Sequence, residues 1–253
     1  MDFNFSDDQN AIRELAYQIF TDRSSDEFLL AFSRTDDTYD ETLWQTLAEQ
    51  GLLGVALPES VGGAGLGLVE LCLVLEEQGR RVAPVPLYAS LVLGALPIVE
   101  FGSAEQQQLY LPALASGHAK FSAAIAELAM NPAVVTTVTA TREKEGWVLC
   151  GDKAVVPDGA VADFILVPAE DGAGRQTLFI IDTRIPGVSV QPLEIGLSGY
   201  RAANLTLDNV PVDDHAVLGA VGQGARLLEW LEQRANIGHC ALQVGVTEEA
   251  MKR

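Results

Sequence analysis

The glycine-rich run between Gly62 and Gly67 is, by residue type, the stretch best suited to hold a phosphate group. Backbone N–H groups in such loops can point at an anion, especially where a helix begins. Neither Lys-Ser nor Lys-Thr follows the run, and no strand-to-helix dinucleotide fingerprint surrounds it. The sequence therefore favours a loop that allows close packing ahead of a helix over Leu68–Gly79.

The other reactive residue types lack the spacing of a catalytic or metal-binding motif. No G-x-S-x-G nucleophile elbow occurs, and no C-x-x-C pair. We predict no metal site, because the histidines lack metal-ligand spacing. We expect the cysteines to be buried free thiols in a reducing compartment. The residues concerned are His118, His215 and His239, and Cys72, Cys150 and Cys240.

Composition describes a soluble globular protein with a strongly acidic surface. The chain has 253 residues, of which 48% are hydrophobic and 20% charged, enough for one large or two smaller domains. Its formal net charge of −19 argues against nucleic acid as a partner, since phosphates require clustered Lys and Arg. It also disfavours coenzyme A unless basic residues are focused locally.

Membrane and secretory signals are absent from the sequence. No apolar run reaches the roughly 18 to 20 residues that a membrane span needs. The start, Met1-Asp2-Phe3-Asn4, lacks the basic and apolar regions of a signal peptide. We therefore expect a cytoplasmic protein that does not span a membrane.

The elements that must position any site begin with a helical region, which we place at residues 1–117. Capping boxes at Ser6–Gln9 and Ser103–Gln106 predict two helix starts, the first helix running over about Asp7–Thr21. Further helices are predicted near Asp26–Ser33, after Asp40-Glu41, and within Leu87–Val99.

From His118 to residue 219 the pattern changes to short strands. In Trp147–Pro168, β-forming residues are broken by Gly151-Asp152 and by Pro157-Asp158-Gly159, which predicts two or three strands joined by turns. Val134–Thr141 should pair with the Trp147 strand as a hairpin. Further strands are predicted at Thr177–Asp182, Val188–Val190 and Asn204–Leu207 and near Val217. Closely spaced strands without helices between them predict an antiparallel barrel or sandwich.

The last region, residues 220–253, is predicted to be one long helix over Ala225–Arg253. Its apolar face would need partner helices, which the sequence does not supply afterwards. We expect either another subunit to provide them or the chain to be part of something longer. The fold class is therefore α+β: a helical N-terminal domain, a middle β domain and the start of a further helical region.

Short motifs along the whole chain carry a family resemblance. They are Leu57-Pro58-Glu59 with Gly62-Gly63 and Gly65-Leu66-Gly67, Glu105-Gln106-Gln107 with Tyr110-Leu111-Pro112, Gly151 with Lys153, Pro186-Gly187-Val188, Leu207–Val212, and Gly222 with Gly224. In this order they resemble the PE-x-x-GG-x-G, QK-x-x-YLP, NG-x-K, PGV, F-x-x-VxVP and G-x-G segments of acyl-CoA dehydrogenases. The ordered set is far more specific than any one of its members.

The resemblance implies a fold and a reaction. Such enzymes have a helical N-terminal domain, a β domain and a four-helix C-terminal bundle, of which this sequence covers the first two and one helix. They use FAD to oxidise an acyl-CoA thioester to the 2,3-enoyl-CoA. A carboxylate removes the α-proton, and hydrogen bonds at the thioester oxygen stabilise the developing enolate.

The positions that the resemblance places against the flavin carry altered chemistry here. Ile125, Ala126 and Glu127 stand where the family has a strand ending in Thr-Glu-Pro, and only the glutamate is kept. Val155 replaces an aromatic residue. Pro157 replaces Thr or Ser and offers neither a hydroxyl nor an N–H, so donors to the isoalloxazine are missing.

No catalytic base can be identified. Some family members carry a glutamate in the first bundle helix immediately before an arginine; Arg234 matches that arginine, but Gln233 precedes it and cannot accept a proton. Glu232 is one position off, about 100° away around a helix. Arg234 is a candidate for orienting substrate or a partner's carboxylate, although a solvated or salt-bridged helix residue is the plainer interpretation.

Three functions remain open at this point. The chain is expected to be an acyl-CoA dehydrogenase family oxidoreductase, a subunit associated with FAD and an acyl-CoA substrate in lipid or steroid side-chain catabolism. A second interpretation, favoured by the joint loss of base and flavin contacts, is a depleted subunit of a homo- or hetero-oligomer that binds no flavin itself. The third is a CoA-thioester binding module without redox activity.

Overall fold

The computed structural model describes residues 4–125, 138–193 and 201–253 of the chain. Helices dominate both ends of this range and strands dominate its middle. The α-helices are α1 (Asp7–Arg23), α2 (Asp26–Phe32), α3 (Glu41–Glu49), α4 (Leu68–Arg81), α5 (Leu96–Phe101), α6 (Ala104–Ala115) and α7 (Gly224–Lys252). A π-helical segment, Tyr88–Ala95, runs directly into α5. None of the described helices is both long and apolar enough to cross a bilayer.

Local capping explains where the N-terminal helices begin. Both predicted capping boxes are formed: Ser6 accepts from the backbone N–H of Gln9, and Ser103 accepts from that of Gln106, each glutamine bonding back to its cap. The helices predicted from residue 7 onward are confirmed, with ends shifted by a few residues. The division at 117/118 and 219/220 stays a prediction.

In its described residues, the middle of the chain forms one mixed sheet of eight strands. They are β1 (Phe121–Ala123), β2 (Val138–Glu143), β3 (Gly146–Pro157), β4 (Phe164–Glu170), β5 (Gln176–Asp182), β6 (Val188–Leu193), β7 (Ala202–Val212) and β8 (Val217–Leu218). The order is β6-β7-β3-β2-β4-β5-β8, with β1 beside β4. The predicted hairpin of β2 and β3 is confirmed from Val138 onward; residues 134–137 of the predicted strand lie outside the described residues.

The predicted α+β class is confirmed, but the antiparallel barrel or sandwich is wrong in detail. The pairs β1–β4 and β2–β4 are parallel, and the described strand order runs from β6 to β8 without closing. The reason is topological: β1 arrives from the helical region and pairs in register with β4, so Phe121 lies opposite Phe164. A hairpin pattern in sequence cannot reveal such long-range parallel pairing.

The predicted turn at Gly151-Asp152 is also wrong, because β3 continues through it. Its register against β7 shifts between Leu149 and Gly151 and again between Lys153 and Val156. The backbone is left-handed at Gly151 (φ +136°) and at Val155 (φ +54°). Bulges absorb the residues that looked like a turn, and they re-aim the side chains that follow.

Both faces of the central strands are buried, and successive side chains along each strand point alternately into one core and then the other. On β4 and β5, Leu166, Leu178 and Ile180 face a core shared with the helices, whereas Ile165 and Phe179 face a second core within the sheet. Trp147 lies in this second core, 5% exposed and edge-on to Phe179. Trp147 therefore anchors the β2–β3 hairpin in this core.

The helix α7 packs back onto α4 at very close range. A Cβ built on Gly245 would lie 2.7 Å from the backbone nitrogen of Arg80 and closer still to the carbonyl oxygen of Glu76. Arg80 is buried and pairs with Glu77 at 2.7 Å, with Glu76 at 2.9 Å and with Glu248 of α7 at 2.7 Å. Small residues and one buried guanidinium therefore fix α7 against the N-terminal helices.

Candidate functional site

The end of β3 carries two of the positions that the resemblance places against a flavin. Val155 is half-buried and lies in the second bulge with φ +54°. A left-handed conformation costs a residue with a Cβ about 1–2 kcal/mol, so the bulge must hold Val155 in place. Pro157 ends the strand opposite Ala202 and is also half-buried.

The backbone around Pro157 forms hydrogen bonds within the chain. The hydroxyl of Ser122, on β1, donates to the carbonyl of Pro157 at 2.5 Å. The N–H of Asp158 donates to the carbonyl of Arg201 at 2.9 Å. Pro157 has no N–H, and the N–H of Asp158 is already bonded. Neither residue therefore has a free backbone donor for a ligand.

The described positions do not fit the polar edge of a flavin. Ile125, just after β1, is half-buried and packs against the core shared with the helices. With Val155 and Pro157 it forms an apolar set whose side chains contain no hydrogen-bond donor. Ala126 and Glu127, the other two predicted positions, lie outside the described residues.

On α7, Gln233 lies on the exposed side of the helix, as does Glu232. Arg234 is half-buried, with its guanidinium 4.0 Å from the Trp230 ring centroid. It donates to the Trp230 carbonyl and to the Gln233 amide oxygen, both at 3.2 Å. Among the described residues, no carboxylate pairs with Arg234, so a base for α-proton removal is not brought to it.

The π-helical segment joins α7 to the sheet. Tyr88 donates to the carbonyl of Ala235 at 3.2 Å and stacks on His239 with ring centroids 4.2 Å apart. Two residues on, Ser90 exchanges hydrogen bonds with the backbone of Phe121 on β1. Partial burial lowers the pKa of His239, which favours the neutral imidazole. The predicted site residues thus lie on separate elements linked through this segment.

Sequence reasoning missed two polar residues, Asp158 directly after β3 and Arg201 directly before β7. The sequence pattern identifies Asp158 only as a turn residue, although burial raises its pKa to about 7. The charge of Arg201 opposes that rise. No sequence pattern links the two residues, because Arg201 follows Asp158 by 43 positions. The described residues contain no group of three His, Cys, Asp or Glu that could hold a metal ion.

Family models built from known proteins match most of the chain. "Acyl-CoA dehydrogenase, N-terminal domain" matches residues 6–118, and "Acyl-CoA dehydrogenase, middle domain" matches residues 126–210. A curated relative, acyl-CoA dehydrogenase FadE27 of Mycobacterium tuberculosis, is 31% identical over the whole chain. The chain spans 65% of that relative's length.

Solved structures agree with these matches on the fold. The Tcur3481-Tcur3483 steroid ACAD, in a variant form, is 42% identical with a TM-score of 0.86 over 97% of this chain and 64% of its own. The ChsE4-ChsE5 complex from Mycobacterium tuberculosis is 30% identical with a TM-score of 0.90, over 100% and 66%. An acyl-CoA dehydrogenase complexed with FAD from Bacillus anthracis is 30% identical with a TM-score of 0.83, over 96% and 43%. The chain therefore belongs to the acyl-CoA dehydrogenase family, and it spans less than two thirds of these relatives.

Proposed function

We propose that this chain is a subunit of a heteromeric acyl-CoA dehydrogenase and that its homologous partner supplies both FAD and the catalytic base. The complex would carry out the α,β-dehydrogenation of an acyl-CoA thioester from lipid or steroid side-chain catabolism. Among the similar structures, one is named a steroid ACAD and another a two-protein complex, which supports both parts of the proposal. A cytoplasmic location stays a prediction.

The chemistry at the end of β3 carries this proposal. Ile125, Val155 and Pro157 are apolar, and the carbonyl of Pro157 is occupied by Ser122. A flavin ring needs donors at its polar edge, and burying that edge without them costs about 1–3 kcal/mol for each unmade bond. Several unmade hydrogen bonds would remove much of the affinity expected for FAD. The substitutions leave the fold intact, so the chain can still dock onto a partner.

The missing base points in the same direction. Gln233 precedes Arg234 at the position where some family members have their glutamate, and an amide cannot take the α-proton. Arg234 already donates to the amide oxygen of Gln233. We propose that Arg234 acts as a positioning residue toward substrate or toward a partner's carboxylate, rather than as part of a complete catalytic pair.

The alternative is a subunit that still shares in a flavin site. Gly151 and Lys153 keep the family framework of β3, and family members bind FAD, as in the Bacillus anthracis structure. In that case Ala126 and Glu127 would have to provide the contacts that Val155 and Pro157 lack. The two proposals differ in what the purified chain carries.

The test is to purify the chain alone and together with its genomic-neighbour homologue, then to measure visible flavin absorbance and the mass of each particle. We expect no stoichiometric flavin on the chain alone, and flavin in a complex that contains both chains. Gln233→Glu is the matched control. It restores a carboxylate before Arg234 without changing β3, so the flavin content of the complex should stay the same.

Two results would contradict the proposal. Stoichiometric flavin on the chain alone would show that β3 does support the cofactor. Acyl-CoA binding by the chain, without flavin either alone or in the mixture, would instead identify a CoA-thioester binding module.

A further inference from the structure

A cleft of about 490 Å³ lies between the C-terminal end of α4, residues 82–85, the end of β3 and α7. This volume is within the range of small-molecule sites. Its apolar wall is formed by Val85, Leu242 and Val246, and its charged lining residues, among those described, are Asp158 and Arg201. An apolar wall with a few convergent polar groups is the usual composition of a binding site for a small ligand.

Arg201 lines this cleft, and its guanidinium has no hydrogen-bond acceptor among the residues that the structure describes. It is half-buried, with its guanidinium over the ring of Phe32 at 5.2 Å. Within the described ranges, no carboxylate lies within ion-pair distance of it and its guanidinium donates no hydrogen bond. Burial lowers the pKa of Arg201, and Asp158 partly opposes that effect. A guanidinium in such surroundings gains most from a ligand oxygen that carries negative charge.

Asp158 does not neutralise Arg201 fully at neutral pH. Burial raises its pKa to about 7, and the charge of Arg201 limits that rise. The faces of α4, of residues 82–85 and of α7 that line the cleft contribute no charged side chain. When Asp158 is protonated, the cleft holds one net positive charge and a carboxyl O–H donor, which together suit an anion.

Two further features mark the cleft as a built site. Gln78 is 8% exposed and donates to the carbonyl of Val85 at 2.8 Å, yet its Oε1 is buried with no partner among the described residues. Buried polar atoms without partners are rare and call for an explanation such as a bound molecule. Val82 and Asp158 both have left-handed backbones, at φ +49° and +47°. Such strained residues cluster at functional sites.

We propose that this cleft binds a small amphipathic carboxylate, with its apolar body against Val85, Leu242 and Val246 and its carboxylate on Arg201. The ligand carboxylate bonds to the guanidinium, and protonated Asp158 donates a second hydrogen bond to it. Binding therefore takes up a proton from solvent whenever Asp158 is ionised in the free protein. The proposal goes beyond the dehydrogenase function and does not depend on whether the chain binds flavin.

Proton uptake fixes the direction of the pH effect. With the pKa of Asp158 at about 7, the protonated fraction falls from about nine tenths at pH 6 to about one tenth at pH 8. The affinity for a carboxylate should fall about tenfold over the same interval. Asp158→Asn mimics the neutral acid, and asparagine tolerates the left-handed backbone well. This variant should hold the pH 6 affinity at pH 8.

The experiment is isothermal titration calorimetry of the intact protein with octanoate and with 1-octanol, which share an apolar body, at pH 6 and pH 8. We expect octanoate to bind at least tenfold more tightly than octanol at pH 6. Arg201→Gln should abolish this preference, and Arg201→Lys should keep part of it, which separates a lost contact from misfolding. Arg184→Gln is the matched control, because Arg184 is an exposed arginine that pairs with Asp182 and does not line the cleft.

Three outcomes would overturn the proposal. The first is that octanoate does not bind at either pH. The second is that octanoate and octanol bind with equal affinity. The third is that a folded Arg201→Gln protein binds octanoate as tightly as the native protein. A preference for octanoate that is independent of pH in both the native protein and Asp158→Asn would overturn the role given to Asp158.

Discussion

Gly245→Ala is a direct test of how α7 is seated on α4. The added Cβ would lie 2.7 Å from the Arg80 backbone nitrogen and 2.9 Å from the Glu76 carbonyl carbon, both parts of the α4 backbone. Backbone atoms cannot rotate away, so the helices must separate, and overpacking of this kind costs about 1–3 kcal/mol. Separation also loosens the bond from buried Arg80 to Glu248. We expect the upper part of that range, although alanine favours an isolated helix over glycine by about 1 kcal/mol.

The assay is urea unfolding followed by circular dichroism, with thermal unfolding alongside. A loss of about 2–3 kcal/mol corresponds to a drop in Tm of roughly 4–12 °C for a protein of this size. The matched control is Thr247→Ala, an exposed position on the same helix, expected to change stability by less than about 0.5 kcal/mol. If Gly245→Ala were as stable as the control or more stable, α7 could not pack on α4 at this distance.

Three further predictions concern the same elements. Arg80→Ala should destabilise the protein by about 3 kcal/mol in urea unfolding, because Glu77 would remain buried with only its longer contact to Arg13, at 3.3 Å; a change under 1 kcal/mol would contradict this. Asp158→Asn should leave stability nearly unchanged at pH 4 and raise it by a few kcal/mol at pH 8. The raised pKa of Asp158 means that its stabilising protonated form is lost as pH rises towards and through about 7, at about 1.4 kcal/mol per unit; parallel stability–pH curves would refute the assignment. Val82→Asn should raise Tm by a few degrees, since asparagine is the better residue at a left-handed helix C-terminus, and a lower Tm would mean that Val82 is not left-handed.

Local physics was enough to predict much of the fold. Capping at Ser6 and Ser103 depends on residues three apart, and the β2–β3 hairpin on strands joined by a short turn. Helix periodicity predicted one long helix over Ala225–Arg253, close to the observed α7. The failures were long-range. Gly151-Asp152 has turn chemistry, but pairing with β7 holds it in a bulged strand, and the parallel pair β1–β4 brings together residues 43 positions apart.

For the candidate site, the sequence by itself determined which chemistry is missing. A valine at 155, a proline at 157 and a glutamine at 233 lack the needed donors or base in any conformation, because those functions belong to the side chains themselves. Only the tertiary structure decided what is present instead. It set Asp158 and Arg201 beside the apolar face of α7 in one cleft. Burial and the proximity of charges are properties of the folded chain, and they alone make an ordinary turn aspartate titrate near neutral pH.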